Sequence, residues 1–173
     1  MEGAATCNLE GEHSVLDKKK VKFSTSTHRS EGLLDCVHVS VWGPAKPASL
    51  GGHRYFVSFI DSLSRHCWIY PMRQRCEALD MLVRWKDMME KQTGRKIKEL
   101  QIGIVENQFL RFDQNTGIST HFTDGIHGLA KEINCSLLEK ARCLLSIARL
   151  DKFFWAEVIV YASHLINGYH RLR

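Results

Sequence analysis

The chain has 173 residues, enough for one domain with a sizeable core, and its 44% hydrophobic and 25% charged content is that of a globular protein. The formal charge of +5 permits contact with nucleic-acid phosphates without demanding it. No apolar run is long enough for a membrane span, and the opening "MEGAATCNLEGEHSV" has neither the basic start nor the apolar centre of a secretory signal, so an intracellular place, nucleus or cytoplasm, is expected.

Residues 1–32 form the first segment. Within it "KKKVK" places Lys18, Lys19, Lys20 and Lys22 in one basic run, followed by a stretch rich in serine and threonine. Such composition buries little and predicts disorder. The run suits an import signal or a phosphate-contacting arm, and equally a solvated charge cluster. From residue 33 to 173 the pattern is that of a folded domain. "LLDCVHVSVW" and "RYFVSFIDSLSRHCWIYPMR" hold three strand-like runs, separated by the proline- and glycine-rich "PAKPASLGGHR" and the short turn "SLSR". Connections this short predict an antiparallel meander.

"RCEALDMLVRWKDMMEKQTG" predicts a helix. Ala78, Met81, Leu82, Trp85, Met88 and Met89 recur at spacings of three and four, and Gly94 stands where a helix ends. "IKELQIGIV" is a further strand, so the helix is a crossover to a parallel strand. "ISTHFT" predicts a short strand and "DGIHG" a turn. A second helix starts at Leu129, with Ile133, Leu137, Ala141, Leu144 and Ala148 as its inner stripe. A third follows Asp151, a suitable N-cap. The elements together predict an α/β fold, a mixed sheet flanked by helices.

The six cysteines lack paired metal-ligand spacing and are expected as thiols; the nine histidines are scattered, His121 and His127 being the nearest pair. The tryptophans Trp42, Trp68, Trp85 and Trp155 sit in apolar stretches and are expected in the core.

Several long stretches, in the right order, resemble the integrase core of plant Ty1/copia-type retrotransposon polyproteins. They are "LLDCVHVSVWGPAKPASLGGHRYFVSFIDSLSRHCWIY", "EKQTGRKIKEL" and "SLLEKARCLLSIARLDKFFWAEVIVYASHLIN". "GEHSVLDKKKVKFSTSTHR" resembles the tail of that family's pre-integrase zinc module. The resemblance implies a ribonuclease-H-like fold, shortened in the middle, and a family that cuts and joins DNA with two aspartates and a glutamate holding two Mg²⁺ or Mn²⁺ ions.

Residue by residue, that ligand set is missing. The motif "HSDVWGP" appears as "HVSVWGP", which puts Ser40 at the first aspartate. "LRSDNGGE" becomes "LQIGIVEN", with Gly103 at the second. "NGVAERMNRTL" becomes "HGLAKEINCSL", with Lys131 at the glutamate. Glu132 is one residue late and points about 100° away on a helix. The zinc pattern "CEHCV" appears as "GEHSV", with Gly11 and Ser14 in place of both cysteines. No cofactor is therefore expected, and no activity. Asp35, Asp61, Glu106, Asp113, Asp124 and Glu132 are the carboxylates from which another site would be built, and Ser40, His38 and Asp61 the members of a conceivable triad. What the resemblance implies instead is non-specific DNA contact, through the lysine run and through Arg65, Arg84, Lys86, Lys131 and Arg142. The alternatives are self-association or association with intact integrase subunits, or a relic without function.

Overall fold

Alternating β-branched and aromatic residues build the first three strands, and each prefers a pleated, half-buried surface. The computed structural model describes residues 32–103, 109, 117–122 and 128–170, without the side chains of 169 and 170. Strand β1 spans Cys36–Trp42, β2 Tyr55–Asp61 and β3 Cys67–Met72. β1 and β2 are antiparallel with Ser40 opposite Ser58, and β2 and β3 are antiparallel with Ser58 opposite Ile69, so the predicted meander forms.

Helix α1, Ala78–Thr93, follows a single 3₁₀ turn at Arg75–Glu77, where Gln74 N–H donates to the Glu77 carboxylate at 2.7 Å. It ends at Gly94, whose φ of 66° is the left-handed conformation that a residue without Cβ adopts freely. The inner stripe is narrower than the spacing suggests. Ala78, Leu82, Trp85 and Met89 are buried, Met81 is half-buried and Met88 is 37% exposed. A helix lying on one side of a sheet buries only a limited arc of its surface.

Beyond α1 the chain returns as β4, Glu99–Ile102, parallel to β1, and β5, Ser119–Phe122, parallel to β4. The sheet order is β3-β2-β1-β4-β5, so the crossover passes over β2 and β1 and leaves β3 at an edge. The predicted disorder of residues 1–32 and most of the shortened middle, 104–127, lie outside the described residues apart from Gly32, Phe109 and 117–122.

The central position of β1 divides the interior. Val37, Val39, Val57, Phe59, Leu100 and Ile102 face α1, where Phe59 stacks on Trp85 at 4.5 Å between ring centroids. Phe56, Ile60, Cys67 and Ile69 face α2, Gly128–Ile147, and α3, Trp155–His170. There Trp42 stacks on Phe56 at 5.2 Å and meets Trp155 edge-on at 6.1 Å. The tryptophans are core residues, as expected; Trp42 and Trp68 are its half-buried members.

On α2 the stripe differs from the predicted one in its last turns. Leu145 is buried, Leu144 only half-buried, and Ala148 is exposed. At 3.6 residues per turn the inner face drifts to 145, and the helix ends before 148. Asp151 caps the next turn as predicted, accepting from Phe153 N–H at 3.1 Å. At the outer edge, the Asn167 side chain of α3 accepts from Cys67 N–H at 2.9 Å and donates to Cys67 C=O at 2.7 Å. This amide takes the place of a neighbouring strand.

Arg149 closes α2 with φ 51°, and Leu150 N–H reaches back to Leu145 C=O at 2.9 Å. That is a left-handed helix terminus carrying a residue with a Cβ, which costs about 1–2 kcal/mol. Arg149→Gly is expected to raise the thermal midpoint by about 2–4 °C in a calorimetric scan. Asn167→Ala, which strands the two Cys67 backbone groups, is expected to cost about 1–3 kcal/mol in chemical denaturation.

Candidate functional site

Side chains alternate along β1, so Ser40 and His38 project to the side opposite Val37 and Val39. Ser40 is 1% exposed. Its hydroxyl oxygen accepts from Asn134 Nδ2 of α2 at 3.2 Å, and its carbonyl accepts from Ser58 Oγ at 3.3 Å. Gly103 N–H donates to Val39 C=O at 3.1 Å, one step beyond the Val39–Ile102 pair, which sets buried Gly103 beside Ser40. Lys131 is exposed on α2, less than one turn before Asn134. Ser40 and Gly103 are thus neighbours in the sheet, and Lys131 lies on the helix whose Asn134 reaches Ser40.

Asn134 is the member that the motif comparison passed over. It is 3% exposed, and among the described residues its Oδ1 meets no donor. The signal was present: "HGLAKEINCSL" keeps the asparagine of "NGVAERMNRTL", and an amide interrupts an otherwise apolar stripe between Ile133 and Leu137.

The donor set does not suit divalent ions. Mg²⁺ and Mn²⁺ seek several charged or carbonyl oxygens. Here one neutral hydroxyl is already engaged by an amide, Gly103 brings no side chain, and Lys131 brings a cation. Among the described residues no group of three or more His, Cys, Asp or Glu stands close enough to hold a metal.

The other carboxylates have structural duties. Asp61 accepts from Leu34 N–H at 2.8 Å, and from the Ser64 N–H at 2.7 Å and its hydroxyl at 2.6 Å. Asp35 precedes β1 and pairs with Lys98 at 3.0 Å. Glu132 is exposed. Glu106, Asp113, Asp124 and His127 lie outside the described residues. The conceivable triad does not assemble, because His38 Nε2 meets Ser62 Oγ at 3.3 Å and Asp61 is turned into its own turn. His121 Nε2 lies 3.3 Å from Ser119 Oγ and 3.8 Å from Glu99 Oε1.

The basic candidates divide. Arg65, at φ 57°, sits in the turn between β2 and β3. Arg84 and Lys86 lie on α1, exposed and half-buried, and Lys86 pairs with Glu90 at 3.0 Å. Burial would raise the Glu90 carboxyl, but hydrogen bonds from Lys86 and from Ile97 N–H, with the nearby lysine charges, hold it below its ordinary value. Lys131, exposed, and Arg142, half-buried, lie on α2 across the sheet. Cys135 and Arg142 are half-buried, because the neighbouring Asn134 and Ala141 turn inward. Lys18, Lys19, Lys20 and Lys22 lie outside the described residues. An open cleft of about 470 Å³ runs between β3 and α3, lined by His66, Trp68, Tyr70, Val160, Ser163 and His164; it is two strands away from Ser40.

No protein-family model matches the chain. It is 33% identical over 156 residues to the retrovirus-related Pol polyprotein from transposon TNT 1-94 of Nicotiana tabacum, covering 86% of this chain and 12% of that protein. The Pol polyprotein from transposon RE2 of Arabidopsis thaliana is 30% identical over 158 residues, covering 86% and 10%. The chain is an integrase core of the Ty1/copia Pol family. It spans about a tenth of the length of these polyproteins. The HTLV-2 integrase catalytic core domain, in a dimeric form in complex with magnesium, shares this copia core's fold with a TM-score of 0.54 at 11% identity, over 76% of this chain and 84% of that one. Its trimeric form gives 0.52 at 12% identity, over 75% and 82%.

In this copia core the Ser40–Asn134 bond is testable by a double-mutant cycle. Ser40→Ala alone strands the Asn134 amide and is expected to cost about 1–3 kcal/mol, whereas Ser40→Ala with Asn134→Leu removes both partners and is expected to be close to neutral. None of the described cysteines is in a disulfide. Burial pushes the thiols of Cys36 and Cys67 up to about 12, with the Glu99 carboxylate adding to the rise at Cys36. Exposed Cys76 and Cys143 are expected to react with iodoacetamide at neutral pH, while Cys36 and Cys67 react only after denaturation, as peptide mass spectrometry would read.

Proposed function

We propose that this copia integrase core is catalytically inactive and that its remaining role is to bind DNA through phosphate contacts without sequence preference. One observation carries the first half: the hydroxyl of Ser40, held by Asn134 at 3.2 Å, stands at the centre of β1 where the family motif has an aspartate. Gly103 and Lys131 at the other two motif positions remove the remaining ligands, and no step of metal-assisted chemistry can be written through a hydroxyl, a bare backbone and an ammonium.

The second half is supported by the charge of +5 and by surface cations on the same domain. Because α1 and α2 lie on opposite sides of the sheet, one duplex meets either Arg84 and Lys86, or Lys131 and Arg142, but not all four. The α2 pair is the one tested below, because Lys131 is exposed on the helix that packs beside Ser40. Residues 1–32 would extend the contact as a remnant of the pre-integrase module, through Lys18, Lys19, Lys20 and Lys22. The dimeric and trimeric forms of the HTLV-2 core support association with like or intact subunits as the second reading.

A strand-transfer assay tests the first half. The unaltered chain is expected to join no DNA with Mg²⁺ or Mn²⁺, and a variant carrying Ser40→Asp, Gly103→Asp and Lys131→Glu is expected to gain Mn²⁺ binding in calorimetry. Joining by the unaltered chain would sink the proposal. For the second half, affinity for a short duplex should fall steeply with salt, and Lys131→Gln with Arg142→Gln should lower the log–log slope by about 1 per residue. A flat salt response removes the DNA role and leaves subunit association.

A further inference from the structure

Large apolar side chains stand in solvent at one corner of the molecule. Ile147, the last residue of α2, is 75% exposed, and Leu150 and Phe153 in the connection to α3 are 43% and 44% exposed. Leu50, 64% exposed, belongs to the loop between β1 and β2. That loop is fastened to the same corner, since Leu50 N–H donates to Phe153 C=O at 2.9 Å.

Cations lie on the same segments. Arg149 and Lys152 lie in the connection, Lys46 and Arg54 on the loop, and Arg73 donates from Nε to Gly51 C=O at 3.1 Å; all are exposed. Against them stand Asp151, turned back to cap Phe153 N–H, and Glu157 in the first turn of α3. Arg149 also keeps its left-handed backbone, at φ 51°, where glycine would be unstrained. A cation held at a backbone cost points to use of that side chain.

Exposed apolar residues scattered singly need no explanation, but a group of them inside a charged rim has the anatomy of a protein docking site. DNA phosphates gain nothing from isoleucine and leucine set between the cations. We propose that this corner docks an acidic amphipathic segment of a partner protein. Its apolar anchors cover Ile147, Leu150, Phe153 and Leu50, and its carboxylates meet Arg149, Lys152 and Arg73. The proposal does not depend on the DNA reading, which rests on other residues.

The test is fluorescence anisotropy on the full chain with a labelled short peptide in which leucine recurs at helical spacing among glutamates. A charge-reversed peptide with lysine for glutamate, phosphatidylcholine vesicles carrying phosphatidylserine, and a short DNA duplex serve as comparisons. The glutamate peptide is expected to bind about tenfold more tightly than the lysine peptide, and Ile147→Ser with Leu50→Ser to weaken it about tenfold. Leu63→Ser, at an exposed leucine in the β2–β3 turn, is expected to change nothing. Arg149→Gly should weaken binding severalfold while raising the thermal midpoint, a combination that a folding defect does not produce. Equal affinity for the two peptides overturns the proposal. So does full binding by Arg149→Gly, or corner-dependent binding to vesicles or duplex without binding to the peptide.

Discussion

β1 is covered on both sides, by α1 on one and by α2 and α3 on the other, and that burial governs the middle of the molecule. Whatever occupies position 40 must find its hydrogen bonds inside the protein. A carboxylate there would need metal ions or several donors to remain charged. Serine needs far less, and Asn134 supplies it. Serine at this position thus leaves a strand that pairs on both edges and packs on both faces.

The same constraint explains why the other two positions changed without rebuilding their surroundings. Gly103 continues the parallel ladder through its backbone N–H, which asks nothing of a side chain. Lys131 sits at the exposed start of α2, where a long side chain reaches water. Neither replacement disturbs the apolar contacts of Leu137, Leu138 and Ala141 that hold the helix to the sheet. Catalysis in such a site is a matter of charge placement, and fold is a matter of area removed from water.

Much of this was legible in the residues. Alternation located β1, β2 and β3, the three-and-four spacing located the helices, and Gly94 and Asp151 marked ends that the structure keeps. Motif comparison named Ser40, Gly103 and Lys131, of which Ser40 and Gly103 are neighbours in the sheet. What local pattern did not convey was pairing across distance. Asn134 lies 94 residues from Ser40, and Asn167 lies 100 from Cys67. A polar residue in an apolar stripe announces that it needs a partner but does not say which. The division of the surface cations between two sides of the sheet likewise depends on topology, since Arg84 and Arg142 look alike until the helices carrying them are placed.

The amide of Asn167 has a consequence for how this domain meets its own kind. An outermost strand with bare N–H and C=O groups invites a second chain to lengthen the sheet. In β3 the groups of Cys67 are taken by Asn167, and Pro71 further along has no N–H to offer. The β3 side of the sheet is therefore a guarded border. Copies of the domain are steered away from ladder-like stacking along that strand, and contact on that side falls to side chains.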